Sequence, residues 1–466
     1  MNERQAWELA RWDALETRER LSRREVSAEE VVESAVLRAG QATRLNAIVT
    51  PTWDRARVDA KRLTAGPLAG VPSFTKDLSQ VEGVRTTWGT AAAGHYVSKR
   101  SDPTVQVLER LGLVSLGKSA TPEFGLTATT ESLHFGPTKN PWDETRSTGG
   151  SSGGAAALVS SGVVPIAHGS DGGGSVRLPA SCCGLVGLKV SRGRLDMEGS
   201  TLLPVNIAVH GVLTRTVRDT VAFWKGVDAL APNSKLPRLD VVDPAPRKRL
   251  RVTLVVTTPR GDAIDPEVQA ALEATGKRLE RLGHQVELAP CPFDKEDTDD
   301  FLALWMFLGI AHAKLGRLVV HSRFNARALE PWTHHLARKF AERPWDSAKR
   351  IRRLRAFTAR WSVIMQSRDA VLMPTLGQLP PPLGYLRGDL DFDEKLERLT
   401  QTVPFTGLIN AAGAPAISLP LGHSASGLPI GVQFAAAMGE ERMLLELAYQ
   451  LEADAPWPQL KPLVSS

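Results

Sequence analysis

Hydrophobic and polar positions change their spacing several times along the chain, and each change marks a different kind of element. Ser27 and Glu30 form a capping-box pattern, Val31, Val32, Ala35, Val36 and Ala39 then recur at helical spacing, and Gly40 ends the run. The segment 1–65 is therefore predicted to be helical. From Gly66 to about Thr216 short apolar runs alternate with glycine clusters and alanine-rich stretches of helix length, which predicts alternating strands and helices through 66–234. Leu250 to Val256 reads as a buried strand. Asp265 and Pro266 open a helix whose Val268, Ala271, Leu272, Leu279 and Leu282 share a face, and Gln285 to Leu288 returns as a strand. This βαβ unit predicts parallel pairing in a mixed sheet. Between Phe301 and Trp361 the pattern is helical and aromatic, with Trp305, Phe307, Trp332, Phe340, Trp345 and Trp361 read as core or as a pocket wall, so 235–400 combines the βαβ unit with a helical insertion. The segment 401–466 returns to strands, Ala416 to Leu419 and Ile430 to Phe434, and closes on a helix from Arg442 to Ala453 that completes the same domain. The fold class is α/β.

Composition narrows the function classes. Hydrophobic residues make up 42% and charged residues 23%, the balance of a chain that buries a core rather than a disordered one. The net charge of +6 is small for 466 residues. The basic run of Lys349, Arg350, Arg352, Arg353, Arg355 and Arg360 reads as a solvated helix face, and no nucleic-acid module accompanies it. Three cysteines, Cys182, Cys183 and Cys291, exclude a disulfide framework. The N-terminus lacks the apolar core of a signal peptide, and no run of about 18 apolar residues stands out, so a cytoplasmic location without membrane contact is expected. Adjacent His334 and His335 diverge on a helix and have no third ligand, so no metal is expected.

The chemistry concentrates in one stretch. Gly149, Gly150, Ser151, Ser152, Gly153 and Gly154 precede an alanine-rich helix, Val163 to Ala167 follows as a strand, and Asp171, Gly172, Gly173, Gly174, Ser175, Val176 and Arg177 close the run. A helix of about ten residues travels ~15 Å and a strand of about five returns ~17 Å, which brings the Ser175 loop back beside Ser151. Three glycines before a serine let successive backbone N–H groups face one concavity, the arrangement an acyl-transfer oxyanion needs. No Gly-x-Ser-x-Gly elbow surrounds Ser175, and His168 reads as a packed or hydrogen-bonded residue rather than a base. Lys76 follows an apolar run, and burial would lower its pKa enough for a neutral amine to accept a proton.

Several motifs in order resemble the amidase signature family. They are Gly70-Val71-Pro72 leading to Lys76-Asp77, Gly136 to Trp142, Gly149 to Gly154, Asp171 to Pro179 and Gly184 to Lys189, with Asn410 to Pro420 and Gly427 to Gln433 similar to its C-terminal strands. The resemblance is thin from about 235 to 400, and it implies the amidase signature fold, a large mixed β-sheet flanked on both faces by helices, with 66–234 as the catalytic core. It further implies that Ser175 is the nucleophile, Ser151 a cis serine that relays protons, Lys76 the base, and the N–H groups of Gly172, Gly173, Gly174 and Ser175 the oxyanion donors, with Asp171, Arg177 and Ser152 as structural support. No cofactor or metal enters that scheme. Ala167-His168-Gly169-Ser170-Asp171, and Pro404-Phe405-Thr406 with Asn410, look most like the branch that includes cyclic-dimer hydrolases of nylon oligomers. This implies a small, apolar or aromatic amide substrate, with carbamates and esters open to the same chemistry, acted on by a monomer or homodimer.

Other readings stay open. Gly112, Gly117, Lys118 and Ser119 satisfy the P-loop pattern, although Leu113 to Leu116 between them read as a strand. A glutamine-using subunit of a tRNA-dependent amidotransferase, or a silent binding protein of the same fold, are the alternatives in function.

Overall fold

The structure is a computed structural model that describes residues 3–246 and 248–459; the outermost residues of the segments read as 1–65 and 401–466, and Arg247, lie outside the described residues. A central sheet of eight strands runs in the order Gln285–Leu288, Arg251–Leu254, Ala370–Pro374, Pro429–Ala436, Ala416–His423, Val186–Lys189, Val209–Thr214 and Ile166–Asp171. Arg251–Leu254 pairs in parallel with both its neighbours, as the βαβ reading requires, and every other pairing is antiparallel. The helix within that unit is Pro266–Arg281, with Asp265 accepting from the Glu267 and Val268 N–H groups and Pro266 in its first turn.

Alternation along single strands places helices on both faces. Ala370 and Leu372 join one core with Ile417, Val432 and Phe434, under helices Val217–Leu230, Pro266–Arg281 and Glu441–Asp454. Val371 and Met373 face the opposite side, where Leu304, Phe357, Trp361 and Leu408 cover them. Leu372 and Phe434 are fully buried, and burial of such side chains stabilises the fold by ~2–3 kcal/mol each. A smaller sheet of Ile48–Pro51, Val114–Ser119 and Pro72–Lys76 lies against the Ile166–Asp171 edge, with Val114–Ser119 in its middle.

Four expectations need correction. The N-terminal segment is not wholly helical: β-branched Ile48, Val49 and Thr50 follow Asn46, whose φ of 51° turns the chain, and they pair antiparallel with Val114–Ser119. The return strand after the glycine-serine helix begins at Ile166, because Gly162 ends the preceding turn and Pro165 has no N–H to give a ladder. That strand runs on through Ser170 and Asp171, residues read as loop. Lys295–Val319 is long and apolar enough to cross a membrane by length and composition alone, contrary to the expectation of no such run; in the fold it packs on Pro331–Glu342 and Pro344–Leu354. Finally, the aromatic run is not uniform, since Trp332 and Trp361 are buried but Trp345 is 88% exposed. From Val114 on, the P-loop pattern falls inside the Val114–Ser119 strand, where the buried Lys118 amine donates to Asp77 at 2.8 Å and to Thr86 at 3.1 Å rather than facing a phosphate cradle.

Candidate active site

Lys76 ends a strand in which every residue is buried, and its own side chain is fully enclosed. Its Nζ donates to Ser151 Oγ at 2.8 Å, Ser170 Oγ at 3.1 Å and the Ser170 carbonyl at 3.4 Å. Three neutral acceptors do not offset removal from water, and burial brings this lysine down to about 7, with the Asp171 charge opposing the shift. Ser151 follows a cis peptide bond from Gly150, and its hydroxyl sits at the N-terminal edge of the buried helix Gly153–Ser160. Ser152 Oγ lies 3.3 Å from both the Ser170 N–H and the Ser170 carbonyl, so the support read for Ser152 takes the form of pinning the strand that carries Ser170.

The loop from Asp171 to Arg177 is folded around one carboxylate. Asp171 accepts from the Gly174 N–H at 2.7 Å and the Val176 N–H at 3.2 Å, and pairs with the Arg177 guanidinium through two contacts of 3.0 Å. Arg177 also reaches Gln433, Asn410 and the Thr406 carbonyl, so loop, central sheet and the helix Thr406–Ala412 share one network. Burial pushes the Asp171 carboxyl upward, but the Arg177 guanidinium, helped by Lys189 and Asn410, more than cancels this and holds it well below the usual carboxylate range. Arg177→Met would strand that buried charge, so the unfolding free energy is expected to fall by about 3–5 kcal/mol. A urea titration reads this as a lowered midpoint, and an unchanged midpoint would contradict it.

Of the glycines read as oxyanion donors, Gly174 donates its N–H to Asp171 at 2.7 Å in this structure. Its φ of 123° and a Thr406 Oγ1 only 2.3 Å from where a Cβ would stand are what demand glycine there. The Gly172, Gly173 and Ser175 N–H groups make no hydrogen bond among the described residues and remain available to a ligand oxygen. Gly172 has no atom nearer than 3.7 Å to a would-be Cβ, so a larger residue would fit there.

Ser175 is 6% exposed, and that exposure opens into a cleft with an empty volume of about 610 Å³, its mouth included. Phe301, Leu302 and Trp305 form one wall and Leu399, Val403 and Leu408 another, with the Thr127, Thr298 and Thr400 hydroxyl-bearing side chains among them. Among the described residues no charged side chain lines it. Trp305 is fixed by donating its Nε1–H to the Leu126 carbonyl at 3.0 Å and by stacking on Phe301.

Lys76 and Ser151 thus touch in the fold, and Ser175 stands in the loop that Asp171 and Arg177 brace, just beyond the strand that carries Ser170. Ser170 was not singled out from the sequence as a partner of Lys76, although the residue sits in the same run; a strand reading of 166–171 would have put His168 and Ser170 on one face. Phe301 and Leu399 carry no local sequence signal, because only tertiary folding brings them to Ser175.

A family model described as Amidase matches residues 30–445. A Mycobacterium tuberculosis protein named "Putative amidase AmiC" is 41% identical over 445 residues, covering 93% of each chain. The 6-aminohexanoate-cyclic-dimer hydrolase of Pseudomonas sp. strain NK87 is 34% identical over 481 residues, covering 94% of each. A solved 6-aminohexanoate cyclic dimer hydrolase with substrate superposes with a TM-score of 0.86 at 31% identity, over 96% of this chain and 98% of that one. Sequence, fold and the enclosed lysine-serine cluster agree, and the chain belongs to the amidase family, hydrolases of carbon–nitrogen amide bonds.

Proposed function

We propose that this amidase cleaves small amides with an apolar or aromatic acyl part through an acyl-enzyme on Ser175, with Ser151 and Lys76 as the proton relay. The observation that carries the reading is the 2.8 Å contact from a buried, readily neutral Lys76 to Ser151, beside the apolar cleft into which Ser175 opens. The Lys76 amine takes the Ser151 proton while Ser151 takes that of Ser175, and Ser175 Oγ bonds to the substrate carbonyl carbon. The free amides of Gly172, Gly173 and Ser175 stabilise the oxyanion. Collapse breaks the carbon–nitrogen bond as the relay returns its proton to the leaving nitrogen, and water then repeats the sequence on the acyl-enzyme. Carbamates and esters fit the same steps. The likeness to cyclic-dimer hydrolases supports a compact amide, and the uncharged cleft favours it over free glutamine, whose ammonium and carboxylate would find no counter-ion there.

The test is intact mass and peptide mapping after exposure to a fluorophosphonate, alongside turnover of a panel of aryl and alkyl amides. A single adduct on the Ser175 peptide is expected, and none, or one elsewhere, would overturn the reading. The labelling rate should rise with pH through an inflection near 7 and then level, because the ammonium form below that pH cannot accept a proton. A flat profile from pH 5 to 9 would show that Lys76 is not the base.

A further inference from the structure

The lysine and the serines come from different sheets. Pro72–Lys76 belongs to the three-stranded sheet and Ile166–Asp171 to the edge of the large one, and no backbone ladder joins the two strands although they lie side by side. His168 bridges this seam: the Lys76 backbone N–H donates to its Nδ1 at 3.2 Å, while Ser170, two residues on and on the same face, accepts from Lys76 Nζ at 3.1 Å. The histidine does not stand alone. His168 Nε2 lies 2.9 Å from His210 Nδ1, and His210 Nε2 lies 2.8 Å from Glu198 Oε2. Glu198 is half-buried, and its other oxygen accepts the Thr104 N–H.

Donor and acceptor identities give this chain a direction. A backbone N–H can only donate, so His168 Nδ1 must be bare and its proton must be on Nε2. That proton occupies His210 Nδ1, which leaves His210 with a proton on Nε2 for the Glu198 carboxylate. Burial first, then the neighbouring His210 and Lys76, holds His168 well below the ordinary histidine value, so its ring stays neutral. Each ring has a single permitted tautomer, fixed at one end by Lys76 and at the other by Glu198.

We infer that His168, His210 and Glu198 are positioning residues for Lys76, acting by holding its main chain across the seam so that its amine meets Ser151. This rests on the reading of Lys76 as the base. The chain reaches the Lys76 backbone and not Nζ, so it moves no proton in the reaction. Its function is to keep one acceptor pointed at one N–H.

The experiment uses the full-length protein and the fluorophosphonate, with saturation kinetics that separate the maximal labelling rate from the half-saturating concentration. His168→Leu keeps bulk and loses the acceptor, and the maximal rate is expected to fall at least about tenfold with little change in half-saturation, since small misplacement of a catalytic group is costly. His168→Asn places an amide oxygen where Nδ1 stood and should recover most of the rate. Glu198→Ala releases the tautomers and should slow labelling, whereas Glu198→Gln still accepts from His210 and should not. These two variants decide the matter if His168→Leu does not fold. Nitrogen-15 spectra of the wild type should show both rings protonated on Nε2, and a proton on His168 Nδ1 would overturn the proposal whatever the labelling shows. An unaltered maximal rate in His168→Leu, or a loss that follows melting temperature and is not restored by Asn, reduces the chain to a brace and refutes it. A wild type that takes no label refutes the acyl-enzyme itself, and the positioning role with it.

Discussion

Ser175→Ala is expected to abolish amide turnover, with a fall of about 10⁴–10⁶-fold in kcat, while the protein melts where the wild type does. The loss of activity follows from the proposed role of Ser175 Oγ as the oxygen that forms the acyl bond. The unchanged melting follows from what the side chain does in the fold: it makes no hydrogen bond among the described residues and faces the cleft. Asp171, Arg177 and the free amides stay as they are, so the residual rate of the variant measures what the oxyanion site and binding achieve without a nucleophile. Turnover by product chromatography and the loss of the fluorophosphonate adduct are the two readings. Turnover within tenfold of the wild type, or an adduct that persists, would return a different group to the role of nucleophile.

The second large effect is expected at Lys76, and there activity and stability should move in opposite directions. Lys76→Met keeps the stem and removes the amine, so acylation should fall by about 10³-fold or more for want of a base. The lysine is depressed to about 7 in the fold from an ordinary value of 10.5, so between those values the unfolded chain binds a proton that the folded chain does not. Its cost to stability therefore grows as the pH falls from 10.5 to 7 and is constant below. Removing it should raise the urea midpoint at pH 7, and the gain should vanish by about pH 10.5. Inactivity with greater stability separates loss of chemistry from loss of fold. A variant that is both slower and less stable at pH 7 would show that the amine is needed by the structure.

What the sequence disclosed tracks how local each cause is. The Pro266–Arg281 helix was legible because its cap, its proline and its apolar face lie within one segment, and the strands read at Ala416 to Leu419 and Ile430 to Phe434 because their apolar runs are local, whereas their antiparallel pairing came only with the structure. The Ser151 and Ser175 runs were legible for a related reason, since glycine reports backbone demands at its own position. The Asp171 carboxylate accepts the Gly174 N–H through a fold of the loop that composition does not encode, and so that contact was not legible. Trp305 and Phe307 read as core or pocket without distinction, because a helical aromatic stripe looks the same whether another helix or a substrate covers it. Trp345 shows the reverse limit: an aromatic in that stripe that nothing covers.

The cleft also divides inheritance from invention. The segments 298–305 and 399–403 line the cleft onto which Ser175 opens, yet they supply no side chain to Lys76, Ser151, Ser170 or Asp171. Drift there can alter what is cleaved while the cleaving machinery is passed on intact. The boundary of that freedom is Thr406, whose hydroxyl holds the Gly173 carbonyl at 2.6 Å and whose own carbonyl receives Arg177. A graft of foreign walls that stops before this residue should bring a new appetite to old chemistry, and one that runs past it should damage the chemistry along with the taste.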